Sequence, residues 1–184
     1  MSESEPRIRP LRLADADPVT TATLDGVQAK LGTLPNLFTT LAQSPTALNA
    51  YLQLSSTLGN GRLTAKQRES IALAVGQSNA CQYCLSAHTV LGRGAGLSEQ
   101  DVAQARQGRA SNPKDAAIAG FARQITEQRG VIADADLDAL REAGVDDGLV
   151  LEVIANVAMN VLTNYVNHVA GTEVDFPPVA LQAA

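Results

Sequence analysis

Residues 81–88 read CQYCLSAH and hold both cysteines of the chain and one of its two histidines. Thiols and an imidazole this close can bind a metal, cycle between dithiol and disulfide, or simply be buried together. On an α-helix each residue turns by about 100°, so Cys84 lies about 300° and His88 about 340° round from Cys81, within one narrow stripe. The two sulfurs can meet there, with the imidazole one turn beyond the second. The partial positive charge at a helix N-terminus favours a thiolate, the nucleophilic form of cysteine. Zinc would need Cys81, Cys84, His88 and a fourth ligand such as Glu69 or His168. Ligands strung over about 10 Å of one helix suit a tetrahedron poorly, and the sequence has no second C-x-x-C or H-x-H. The preferred reading is a reactive dithiol with no metal and no cofactor.

Glu69 enters the apolar stretch RESIALAV twelve residues ahead of Cys81. A carboxylate there needs a partner, and near a thiol it is placed to carry a proton. The competing reading is a surface ion pair with Arg68 or Arg62. His168, in NYVNH, either reaches the thiols, if the last helix packs against them, or makes a cap or an ordinary hydrogen bond in the core.

Helix start and stop signals divide the chain that must position these groups. Expected helices run over Thr20–Leu31, Asn36–Gln43 and Pro45–Leu58. Thr64 and Gln67 form a capping box before a segment apolar on nearly every side, the mark of a buried helix. Gly76, Ser78 and Asn79 are expected to interrupt it, with Ser78 or Asn79 capping the helix that carries both cysteines and ends near GRGAG. Further helices are expected from Ser98 to about Gly108, from Asn112-Pro113 to about Arg129, and over Asp134–Ala143. A long apolar helix then runs through DDGLVLEVIANVAMNVLTNYVNHVAG, stopped by Gly171. Residues 1–17 and 172–184 are expected as extended tails, the first of them loose, on a single domain spanning 1–184. No segment alternates with period two, so the fold class is all-α. A shift of 83 residues aligns Glu69 with Glu152, Ile71 with Ile154 and Ala72 with Ala155, and puts Asn164 and Asn167 under Cys81 and Cys84. That echo admits an internal duplication of a helix pair.

Aromatics make up only 3% of the chain, so the core must be built from Leu, Val, Ile and Ala, which also favours helices. A net charge of −5 argues against nucleic acid or an anionic membrane as partner. No basic-then-apolar leader is read at the start and no run of about 18 apolar residues is read as a bilayer span. A cytoplasmic location is therefore expected, where ordinary thiols stay reduced and a cysteine pair is not a secreted disulfide framework.

Glu69, eleven intervening residues, Cys81-x-x-Cys84, three residues and His88 together resemble the signature of the AhpD-like alkylhydroperoxidase and carboxymuconolactone decarboxylase superfamily. LTAKQRESIALAVGQSNACQYCLSAH carries it, while KLGTLPNLFTTLAQSPTALNAYL and TNYVNHVAGTEVDFP resemble the peroxidase-related branch, so the likeness runs from about Lys30 to Pro177. The resemblance implies an all-helical AhpD-like fold, homo-oligomers, and a thiol-dependent peroxidase that acts on a small hydroperoxide. A dithiol or a thiol redox protein would reduce it again. It implies that Cys84 attacks the peroxide, that Cys81 donates a proton and then closes the disulfide, and that Glu69 and His88 relay protons. One position departs: the alkylhydroperoxidase branch has a histidine just before the second cysteine, where this chain has Tyr83, a poor proton shuttle at neutral pH. A redox-sensing or structural oligomer without turnover, and a decarboxylase, are the alternatives.

Overall fold

The computed structural model describes residues 5–181, and among these no strand occurs. The helices are α1 (Pro18–Leu31), α2 (Asn36–Leu41), α3 (Pro45–Gly59), α4 (Ala65–Ser78), α5 (Gln82–Gly94), α6 (Glu99–Arg106), α7 (Pro113–Glu127), α8 (Asp134–Glu142) and α9 (Asp147–Ala170), preceded by a 3-10 turn at Leu13–Asp15. The start signals act as their chemistry dictates. Asp17, Ser44, Thr64, Ser98, Asn112 and Asp146 each accept a backbone N–H at the first turn of their helix.

α4 is the central helix and packs against α5, α6, α7 and α9. From Ser70 to Gly76 every residue of it is buried, as a helix apolar all round requires. Ile71 and Val75 join Ile118, Phe121, Val153 and Val157 in one core shared by α4, α7 and α9. On another side Leu24, Leu37, Phe38 and Leu48 of α1–α3 close over Cys81, Tyr83 and Cys84. Burying each large aliphatic side chain in these clusters contributes about 1.5–3 kcal/mol.

Two expectations need correction. The N-terminal segment is not loose within the described residues, because Arg7 donates to the Val169 and His168 carbonyls and Ile8 N to that of Ala170. These bonds satisfy carbonyls that the end of α9 leaves without helical partners. The last segment is extended, and it too is fixed, through Asn36 N to Asp175 and Val179 N to Ser86 Oγ. The echoed second half is one uninterrupted helix, α9, rather than a helix pair. By length and hydropathy α9 does match a membrane span, but here Val150, Val153, Asn156, Val157 and Asn160 are buried in the core.

Candidate active site

The turn between α4 and α5 places the thiols. Cys81 N donates to the Gly76 carbonyl at 2.9 Å and Ala80 N to that of Gln77 at 3.0 Å, the paired bonds of a Schellman motif. Its left-handed position, φ 53°, is held by Ala80 rather than the usual glycine. Cys81 is thus both the residue that closes α4 and the N-cap of α5, and its sulfur accepts the Cys84 N–H at 3.4 Å. The expected cap at Ser78 or Asn79 falls one turn early, and Gly76 lies inside α4. A Cβ on Gly76 would meet Cys84 and Leu85 at 3.5–3.6 Å, ordinary packing distance, so α4 and α5 lie in side-by-side contact here.

Close packing of these two helices brings Glu69 of α4 to His88 of α5, Oε2 to Nδ1, at 2.8 Å. Both side chains are about one-fifth exposed, so the pair is half-buried. Neither arginine takes Glu69: Arg62 forks onto Asp146, and Arg68 donates to the Leu63 carbonyl. The thiols lie deeper. Cys81 is 1% and Cys84 3% exposed. The Cys84 thiol against its sulfur holds Cys81 below the usual thiol range, helped by the Cys84 backbone N–H, His88 and Asn167 against the opposing effect of burial. Cys84 is pushed up in turn by the proton it shares with Cys81, by burial and by the Cys81 charge. The dithiol therefore loses its first proton easily and its second reluctantly, with the resting anion on Cys81.

His168 is not at the site. Its side chain is exposed and its carbonyl receives Arg7. Its neighbour Asn167 faces the thiols instead, and its Nδ2 donates to Cys84 Sγ at 3.3 Å. Asn164 acts on Cys84 in the same sense and also accepts from Asn79 Nδ2 at 2.8 Å. With Asn156 and Asn160, these residues form a buried asparagine row along α9. Amides spaced by three or four in an otherwise apolar helix were the available signal. Tyr83 is buried, with its hydroxyl accepting Leu37 N at 3.1 Å and its ring edge-on to Phe176. Burial and the nearby Asp175 carboxylate keep its proton on. It ties α5 to α2 and to the last segment, and is not free to shuttle.

A cavity of about 300 Å³ opens beside the thiols. Leu37, Phe38, Leu52 and Met159 give it an apolar wall, and Glu69, His88, Tyr51, Asn156 and Asn160 supply polar groups. Tyr83 and Ala87, on either side of Cys84 along α5, line it too, while Cys81 and Cys84 themselves are buried behind these neighbours. Among the described residues no three His, Cys, Asp or Glu side chains gather as metal ligands.

Residues 45–128 match the carboxymuconolactone decarboxylase family, a stretch that contains Glu69, both cysteines and His88. This match and the fold together support the AhpD-like carboxymuconolactone decarboxylase superfamily. An AhpD-core, peroxidase-related protein of Ralstonia eutropha JMP134 is 27% identical with a TM-score of 0.84, over 94% of this chain and 93% of that one. A peroxidase-related protein of Silicibacter sp. TM1040 is 26% identical with a TM-score of 0.80, over 98% and 95%. The debrominase Bmp8, 20% identical over 91% of each chain with a TM-score of 0.78, shares the fold. No curated protein matches the sequence. Members of this superfamily are enzymes, and the all-helical AhpD-like domain supports a peroxidase-related, antioxidant-type function within its peroxidase-related branch.

Proposed function

We propose that the protein is a thiol-dependent peroxidase in which Cys84 and Cys81 cycle between dithiol and disulfide. The observation that carries this reading is the Cys81 sulfur set as N-cap over Cys84, one turn from the Glu69–His88 pair. Cys81, as the resting anion, takes the Cys84 proton. The Cys84 sulfur attacks the terminal oxygen of a hydroperoxide, an S–O bond forms, and the O–O bond breaks with its electron pair leaving on an alkoxide. Cys81 returns the proton to that oxygen, giving an alcohol and a sulfenic acid on Cys84. The Cys81 thiolate then attacks the sulfenic sulfur and expels hydroxide, which takes a proton from the Glu69–His88 pair and leaves as water. An external dithiol or thiol redox protein restores both thiols. The chain's own residues carry the peroxide-reducing half of this cycle.

Reduced protein mixed with organic hydroperoxide should lose both free thiols and form one intramolecular disulfide, read by thiol titration and intact mass. Repeated turnover with a dithiol reductant separates an enzyme from a stoichiometric sensor. Retention of both thiols across several hydroperoxides overturns the reading. Cys84→Ser should abolish the reaction, and Cys81→Ser should stop it at a trappable sulfenic acid.

The working form is a cytoplasmic homo-oligomer joined through α9. Leu151, Leu162, Tyr165 and Val169 leave one face of that helix exposed. Leu151, Ala158 and Tyr165 recur every seven residues, as do Leu162 and Val169, which is coiled-coil spacing. The stripe carries no carboxylate, so two copies of a chain with net charge −5 meet there without repulsion.

A further inference from the structure

The peroxide step needs a hydrogen-bond donor for the oxygen that leaves, on the side of the cavity where Tyr83 and Ala87 flank Cys84. Tyr83 is the sequence neighbour of Cys84, but its hydroxyl is occupied by Leu37 N and lies beside Asp175. His88 Nδ1 is held by Glu69. A second tyrosine stands in the same wall. Tyr51 of α3 lines the cavity together with Glu69, Tyr83 and His88. Its ring packs on the cluster that contains Cys81 and Cys84 and is tilted against Phe38, with centroids 5.9 Å apart. That contact holds the ring in the cavity wall. No described residue hydrogen-bonds this hydroxyl.

We infer that Tyr51 is a further catalytic residue, the hydrogen-bond donor to the leaving oxygen of a hydroperoxide bound in the cavity beside Cys84. Resting on the peroxidase reading, this assigns Tyr51 the place that Tyr83 leaves vacant as a donor. A phenol serves here because it stays neutral and protonated: burial, then the charges of Glu69 and Cys84, push it up to about 12. When Cys84 sulfur bonds to the terminal oxygen, the O–O electron pair moves to the departing oxygen. Tyr51 O–H donates a hydrogen bond to that growing charge, and the alkoxide then takes the proton held by Cys81, so Tyr51 ends the step unchanged. A donor placed where negative charge develops contributes about 10²–10³ in rate when the site is well formed. The apolar wall of Leu37, Phe38 and Leu52 lies on the same side and receives the organic part of the peroxide.

The test compares Tyr51→Phe with wild-type protein in two single-turnover reactions of the reduced thiols. One uses cumene hydroperoxide, whose alkoxide needs a donor as it leaves. The other uses iodoacetamide, whose iodide needs none. The inference expects oxidation to slow at least tenfold in Tyr51→Phe while alkylation, and its pH midpoint, stay within twofold of wild type. Equal slowing of both reactions would mean that Tyr51 shapes the thiols or the packing, and it overturns the inference. Oxidation at the wild-type rate overturns it as well. If wild-type thiols are alkylated but never oxidised, the peroxidase reading itself fails, and the Tyr51 assignment falls with it.

Discussion

The side-chain amide of Asn167 donates to the Cys84 sulfur at 3.3 Å, joining the last helix to the thiol pair across 83 residues of chain. It lies beside the sulfur that becomes anionic in the proposed cycle, so its hydrogen bond strengthens as charge develops there. Hydrogen bonds to charged groups contribute about 1.5–3 kcal/mol, and each 1.4 kcal/mol is about tenfold in rate. Asn167→Leu should therefore slow thiol oxidation about tenfold, with the helical circular dichroism spectrum kept. Stopped-flow thiol loss under hydroperoxide measures it, and a rate within twofold of wild type would reduce Asn167 to packing.

Reactivity should persist to lower pH than in a free cysteine. The thiolate is the deprotonated form, and the first proton leaves Cys81 below the ordinary thiol range because Cys84 hydrogen-bonds the anion. Lowering the pH through that depressed value removes the thiolate, so the rate of alkylation falls there and not near the free value of about 8.5. Removing the His88 charge with His88→Ala should move the midpoint upward. A profile centred at the free-thiol value contradicts the proposed resting anion.

Tyr83→Phe should leave the chemistry nearly intact and weaken the fold. The Leu37 N–H would lose its acceptor in a buried position, a loss that costs about 1–3 kcal/mol. Thermal or denaturant unfolding should register that cost, while thiol oxidation stays within a few-fold of wild type. A large loss of rate without loss of stability would make Tyr83 part of the relay after all.

Ala80→Gly should stabilise the protein. Ala80 occupies the left-handed position of the α4–α5 turn, which costs an L-residue about 1–2 kcal/mol and glycine little. After the greater chain entropy of unfolded glycine is subtracted, a gain of up to about 1 kcal/mol remains. Equilibrium unfolding in urea measures it directly.

Leu162→Lys with Val169→Lys should break the proposed assembly. Both residues are exposed on the apolar stripe of α9, so the charges cost nothing in the single chain and two copies would bury them. Light scattering coupled to gel filtration should show a smaller species with unchanged helicity. An unchanged mass would place the interface elsewhere.

Much of this protein was legible in local sequence because its signals are local. Thr64 with Gln67, Ser98 with Asp101, and Asn112 before Pro113 mark helix starts through bonds made within a single turn. The period of the apolar residues gave the all-α class, and one helical stripe was enough to put Cys81, Cys84 and His88 together. The start of α5 was misplaced because its signal is unconventional: Ala80 takes a glycine's conformation, and a cysteine, not an asparagine or serine, serves as the cap.

Partners distant in sequence were decided only when the helices packed. Glu69 had Arg62 and Arg68 close by in the chain, yet it pairs with His88, because α4 and α5 pack side by side. His168 and Asn167 are adjacent in sequence, and the rotation of α9 alone sends the imidazole to solvent and the amide to Cys84. In the same way Tyr83 was the tyrosine that sequence pointed to, while α3 brought Tyr51 to the cavity. Local chemistry determined which residues form helices and carry reactive groups. Their partners depend on helix rotation and separation, which the burial of apolar faces fixes for the chain as a whole.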